Sequence, residues 1–246
     1  MSYRDQFTDV GRADFYDANQ YSHGSYSSVL WRIEQAQLLD VLQGFRRTHS
    51  RIDYLDFATG TGRVLSFAQA FVDRATGIEI SEEMARRARE RAPAARILCQ
   101  DITHPGFAAE ERYDVITAFR FFLNAEPELR IAGFRALATR LRDRSSLLIF
   151  NNHGNLVSYK LATGPAKRIR HHGHQRQSGN YLSHRTITRL AEASGLRIIA
   201  VRGCGLIPAR VAARLPTEIM LRLERRMARG HFARFGVNQM YVARLG

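Results

Sequence analysis

Three acids stand where apolar runs end: Asp56 in IDYLDFATGTGRV, Glu79 in GIEIS and Asp101 in CQD. A strand that only fills a core needs neither the acid nor the turn Ala58-Thr59-Gly60-Thr61-Gly62 that follows the first of them. Gly60 and Gly62 let the main chain turn tightly and approach a ligand with no side chain between. About twenty residues on, a carboxylate at the second strand tip accepts two hydrogen bonds from a ribose diol. Asp101, at the third tip, has the chemistry to accept from an adenine amino group. Singly, each acid has a plainer role: Asp56 bonding local backbone, Glu79 and Asp101 capping the helices after them. A lone Gly-x-Gly is also a common plain turn. Three acids at successive strand tips argue for one shared site.

The elements that must hold these acids alternate. Apolar residues at helical spacing predict a helix over 28–45. Buried strands follow at 52–58, 75–80, 95–100, 114–119 and 146–150, with helices at 63–73, 81–91 and 126–141 between them. Ser81 caps the second of these helices, with Glu82 and Glu83 in its first turn and arginines toward its end, matching the helix dipole. Apolar strands alternating with helices imply a parallel sheet covered on both faces, an α/β fold. In such a sheet the ligand lies beyond the strand C-termini, where strand order reverses. After residue 151 the rhythm changes: a basic, His-rich stretch at 164–180, a helix at 185–194, a strand at 197–202, a helix at 216–229 and a last strand at 237–243.

The series resembles the class I S-adenosylmethionine-dependent methyltransferases, over about residues 26–202 and most specifically over 52–124. The resemblance implies a Rossmann-like, mostly parallel seven-stranded sheet with helices on both faces and an antiparallel last strand. It implies S-adenosylmethionine as cofactor. Asp56 and the turn of Ala58, Thr59, Gly60 and Gly62 would hold its methionine moiety. Glu79 would take the ribose hydroxyls, with Ile80 against the adenine. Asp101 and Ile102 would meet the adenine edge, and Phe119 with Arg120 would floor the site near the sulfonium. Ala58 stands where the family has its first loop glycine. Leu65 stands where a dinucleotide fingerprint needs its third, which disfavours NAD. The run ITAFRFFLNAE resembles a bacterial subgroup that tailors surface glycans or other small molecules.

The family's methylators of planar amines often carry Asn/Asp-Pro-Pro-aromatic after the fourth strand; here Phe119-Arg120-Phe121-Phe122 stands instead. That favours transfer to a hydroxyl of a sugar or other small molecule, which asks for in-line approach and a base near the oxygen. His153, in FNNHGN just past the fifth strand, sits where that base belongs, and an imidazole pKa near ~6.5 suits the task. Asn151, Asn152 and His153 equally serve to tie down the strand-to-loop turn. Arg120, Asn124 and Asn152 face the same end of the sheet and could orient an acceptor; Arg120 could instead pair with an acid. Tyr16, Tyr21 and Tyr26 close over the cofactor or pack the lead-in. His171, His172 and His174 lie among arginines with no acid close by, so a mobile substrate lid fits better than a metal site. The helix at 216–229 sets Ile219, Met220, Leu223 and Met227 against Arg222, Arg225, Arg226 and Arg229, reading as a core-facing helix or a membrane-surface one.

The resemblance implies one methyltransferase domain over the 246 residues: a lead-in and helix (1–45), a cofactor-binding half (50–151), a lid or insert (152–185) and a C-terminal half (186–246). No apolar run spans a membrane and the first residues carry no apolar export core, so a cytoplasmic setting is expected. Cys99 and Cys204 are too few for a disulfide framework. The net charge of +14 admits RNA, an anionic membrane surface or an acidic substrate. All but two of the 37 basic residues are arginine, the exceptions being Lys160 and Lys167, a skew that also looks compositional. An RNA methyltransferase should show a basic stripe interleaved with exposed aromatics, which the sequence does not clearly display. A non-catalytic module on the same fold has no need of three strand-tip acids.

Overall fold

The computed structural model describes residues 26–101, 103, 111–155, 158, 182–212 and 214–246. Among the described residues seven strands form a single sheet: β1 (Asp53–Phe57), β2 (Arg74–Glu79), β3 (Arg96–Cys99), β4 (Val115–Ala118), β5 (Leu147–Asn152), β6 (Leu196–Cys204) and β7 (Asn238–Leu245). The helices are α1 (Tyr26–Arg46), α2 (Arg63–Ala68), α3 (Glu82–Arg91), α4 (Pro127–Ala138), α5 (His184–Glu192), α6 (Ala209–Ala212) and α7 (Thr217–Met227). Strand order is β3-β2-β1-β4-β5-β7-β6. β1 to β5 run parallel, and β7 lies antiparallel between β5 and β6. This is the Rossmann-like methyltransferase sheet, its last strand antiparallel as expected.

The alternation within each strand sends side chains to two separate cores. Leu55, Phe57, Ile116, Ala118, Leu148, Phe150 and Tyr241 pack on one face, with Phe134 and Leu137 of α4. Tyr54, Val115, Ile149, Met240 and Val242 pack on the other, against Leu38, Val41, Leu42 and Phe45 of α1. α1 earns that place by its spacing: Leu30, Ile33, Glu34, Gln37, Leu38, Val41, Leu42 and Phe45 are all buried, a stripe along one face. The Ser81 hydroxyl accepts from the Met84 N–H at the start of α3, as its sequence predicts.

The ends of elements depart from the sequence reading. The helix expected over 63–73 stops as α2 at Ala68 and continues as a 3₁₀ turn, Gln69–Phe71. Asp73 then leaves the helix to accept from the Ile52 N–H at 2.7 Å and from Arg46 at 2.6 Å, fastening the start of β1 to α1. β5 runs two residues further than expected, because Asn151 and Asn152 pair with Met240 and Gln239 of β7. α6 and the 3₁₀ segment Gly230–Phe235 were not anticipated. In α7, Met220 and Leu221 are buried whereas Ile219 and Leu223 face solvent, so the apolar set is not one core-facing stripe. Among the described residues no helix is long and apolar enough to cross a membrane.

Candidate active site

A crevice opens at the C-terminal ends of β1, β2 and β4. It lies where β1 is flanked by β2 on one side and β4 on the other, the reversal point of the strand order. Ala58, Gly60, Glu79, Ile80, Asp101, Phe119, Arg120 and Asn124 all line it. The residues that sequence reasoning missed are Phe57, Ile78, Met84, Gln100, Thr103, Phe121 and Leu129. Phe57 and Ile78 had a readable signal, since each adjoins a strand-tip acid. Met84, Phe121 and Leu129 reach the crevice by packing, which carries no motif.

The glycine turn takes left-handed backbone at Ala58, Gly60 and Gly62 (φ 52°, 57° and 81°). For Ala58 that conformation costs about 1 kcal/mol that glycine would not incur. The two glycines serve different ends. A Cβ on Gly60 would meet nothing within 4 Å and would stand in open space. A Cβ on Gly62 would lie 2.9 Å from the Ala88 Cα, so this glycine lets the start of α2 pack on α3 and lies apart from the crevice lining.

Beneath the turn, Asp56 is buried and accepts from two threonine hydroxyls. Thr59 donates to Oδ2 and Thr117 to Oδ1, each at 2.6 Å. Burial pushes its pKa up to about 6, against the pull of the two hydroxyls and of Arg63. Asp56 and Thr59 thus act within the wall, tying the turn to β4, and neither lines the crevice.

Glu79 lines the crevice and is itself buried. Its Oε2 accepts from the Gly60 N–H at 2.8 Å, and its Oε1 accepts from the Ile80 and Ser81 N–H groups at 2.9 and 3.0 Å. Burial raises its pKa, opposed by those three N–H groups. A carboxylate offers about four acceptor positions. Three are used by backbone, so the remaining one, on Oε2, is what Glu79 offers a ligand while these bonds last. Asp101 Oδ1 accepts from the Thr103 N–H and hydroxyl at 2.8 and 2.6 Å, folding the chain after β3 back toward the crevice.

The floor is a second strained turn. Arg120 takes φ 60°, its N–H donates to Asn151 Oδ1 at 2.6 Å, and its carbonyl accepts from Asn124 Nδ2 at 2.7 Å. Asn151 in turn donates to Glu34 Oε1 of α1 at 3.1 Å, which also receives Asn238 Nδ2 at 3.2 Å. Asn151 and Glu34, absent from the expected site, therefore hold Arg120 from behind. Asn152 lies elsewhere: its amide donates to the Leu182 carbonyl and accepts from the Gly154 N–H, and it does not line the crevice. His153 follows it, half-buried and also outside the lining. Ile102, Tyr16, Tyr21, the Tyr26 side chain and the stretch 164–180 with His171, His172 and His174 lie outside the described residues. Among the described residues no cluster of His, Cys, Asp or Glu is arranged to hold a metal.

Residues 55–144 match the family profile described as a methyltransferase domain. Among curated proteins nothing matches the chain. The fold resembles that of magnesium protoporphyrin IX methyltransferase from Synechocystis PCC 6803 with bound SAH, at a TM-score of 0.66 and 16% identity over 99% of this chain and 98% of that one. An S-adenosylmethionine-dependent methyltransferase from Clostridium acetobutylicum aligns at 0.62 and 14%, over 96% and 98%. Mitomycin 7-O-methyltransferase aligns at 0.59 and 15%, over 100% of this chain and 61% of that one. The profile falls on β1 to β4 and the helices between them, which build the crevice, so the part of the chain that matches a methyltransferase domain is the part that forms the candidate site.

Proposed function

We propose that the protein transfers a methyl group from S-adenosylmethionine to a hydroxyl of a sugar or another small molecule. The observation that carries the cofactor reading is the convergence of Gly60, Glu79 and Asp101 on one crevice at the sheet's reversal point. Space where a Gly60 Cβ would stand, and the acceptor position left on Glu79 Oε2, fit a methionine chain and a ribose hydroxyl. Ile80, Phe57 and Met84 offer apolar contact for an adenine, with Asp101 at its edge and Ile102 beside it in sequence. When bound, the cofactor supplies a methyl carbon on a positive sulfur that keeps the electron pair of the broken bond.

The chain's own part is to bring an oxygen in line and remove its proton. Phe119 and Phe121 give the floor apolar walls that exclude water, and Arg120 and Asn124 orient the acceptor. The acceptor oxygen forms the new C–O bond, and the base proposed for its proton is His153, which follows β5 and stands outside the crevice lining. The sequence after β4 lacks the proline-bearing motif for a planar amine, and the fold's likeness to a 7-O-methyltransferase is in keeping with a hydroxyl acceptor.

Incubation with methyl-labelled S-adenosylmethionine and a panel of sugars, sugar nucleotides and phenolic metabolites tests the reading. Label in an ether, located by NMR, is the expected result. Label found only in amines or in RNA overturns the hydroxyl assignment and leaves the cofactor assignment standing.

A further inference from the structure

We propose that α7 and the 3₁₀ segment after it form a surface that docks on a lipid bilayer carrying anionic headgroups. α7 turns Met220, Leu221 and Glu224 inward and Ile219 and Leu223 outward, the last two 48% and 41% exposed. Phe232 and Phe235 follow at 62% and 51%, and Val211 of α6 stands at 47%. Scattered single apolar residues on a surface need no explanation, but five within one short stretch of chain do. Arg214, Arg222, Arg225, Arg226, Arg229 and Arg234 are all exposed among them, Arg229 being paired with Asp40 of α1. The same stretch holds two acids. Glu224 is buried, accepting from the Leu206 and Ile207 N–H groups, which leaves Glu218 as the exposed one.

An apolar face set in arginine is the pattern of an interfacial element. The apolar side chains enter the headgroup and acyl boundary while the guanidinium groups meet lipid phosphate. Single-stranded RNA is the other polyanion to weigh. It would use flat rings as stacking platforms, and Ile219, Leu223 and Val211 have none. The aliphatic share of the surface favours lipid.

The surface is also placed to matter. The Gly203 N–H at the end of β6 donates to the Ala228 carbonyl that closes α7, and a Cβ on Gly203 would strike the Ala233 backbone. Both elements are thus pinned to the C-terminal end of β6. β6 runs parallel to β5, since β7 is antiparallel to both, so this end lies on the same edge of the sheet as the crevice. β6 is three strands from β4, about 14 Å at ordinary strand spacing. Docking there brings the crevice mouth to the headgroup layer. Given the methyl-transfer reading on which this rests, the acceptor so favoured is a hydroxyl on a lipid-anchored molecule.

Flotation of the protein with phosphatidylcholine vesicles, with and without phosphatidylglycerol, tests the surface. The expected result is flotation with the anionic vesicles only, weakened by salt. Phe232→Ser with Phe235→Ser, and separately Arg222→Glu with Arg226→Glu, should each lower partitioning more than tenfold. Both double variants should bind S-adenosylmethionine as the wild type does, which shows that they fold and separates this test from that of the crevice. Absence of flotation by a cofactor-binding wild type overturns the surface alone. So does flotation unchanged in both variants. Selective binding of RNA in place of vesicles, or a concentration-dependent dimer abolished by the Phe substitutions, would overturn it in favour of that other occupant.

Discussion

Glu79 Oε2 and the Gly60 N–H are joined at 2.8 Å, so the acid at the tip of β2 and the turn after β1 hold each other in place. The same carboxylate oxygen keeps the position open to a ligand. Removing it therefore loses both a ligand bond and the set of the turn.

Glu79→Ala should weaken S-adenosylmethionine binding by about 1.5–3 kcal/mol, more than tenfold, in a calorimetric titration. Glu79→Gln should also weaken it, because its amide would turn a donor toward either the Gly60 N–H or the Ile80 and Ser81 N–H groups. A Gln variant that binds as the wild type does would show that the charge and both oxygens are dispensable.

The two glycines of the turn should fail in different ways. Gly60→Ala puts a methyl into open crevice space on a left-handed backbone, costing about 1–2 kcal/mol of stability. It should also cut cofactor affinity more than tenfold. Gly62→Ala drives its methyl into the Ala88 backbone and should cost stability by about 2–4 kcal/mol, strain added to overpacking. Thermal melts with and without cofactor separate the two: the ligand-induced rise in Tm should shrink for Gly60→Ala and persist for Gly62→Ala at its lower baseline.

Asp56 gives the ligand-free protein a pH signature. Its folded pKa of about 6 lies above the unfolded value, so the folded state binds the extra proton between roughly pH 4 and 6. The stability this group contributes is full below pH 4 and is lost as pH rises through 6. Asp56→Asn cannot titrate, so its stability relative to wild type should climb by about 2–3 kcal/mol from pH 4 to 7. Urea unfolding at both pH values measures it. A constant difference would mean that Asp56 keeps its ordinary carboxylate pKa.

His153→Ala should lower turnover of an identified hydroxyl acceptor by about 10²–10⁴-fold with cofactor affinity nearly unchanged. The wild-type rate should fall as pH drops through the imidazole range, and the variant should lose that limb. An active variant with an unaltered pH profile would remove His153 from the mechanism and leave the methyl transfer in place.

The sheet and the crevice's position were legible because they rest on short-range signals. The strands announce themselves by apolar runs, and Glu79 and Asp101 by falling at their ends. Roles within the site were less so. Asp56 and Glu79 look alike in sequence, each an acid at a strand tip, yet one is sealed under threonine hydroxyls and the other opens to the crevice. Gly60 and Gly62 differ only in what stands across from them, and Ala88 is 26 positions from Gly62 in the chain. Glu34 and Asn151 escaped because their contact spans 117 positions and is made by α1 crossing behind β5. The exposed half of α7 escaped because Ile219 and Met220 are equally apolar, and only packing decides which is covered.

β7 lies between β5 and β6 yet follows both in the chain. As the polypeptide emerges during synthesis, β1 to β5 can close on one another, while β6 has no strand to join until residues 238–245 arrive. Through that interval the β5 edge, with Leu148 and Phe150 beside it, is an unpaired template of the kind that invites pairing between nascent chains. Completion of the sheet is thus an insertion and not an addition. Damage to the last strand would open two edges, those of β5 and β6, where loss of an edge strand opens one.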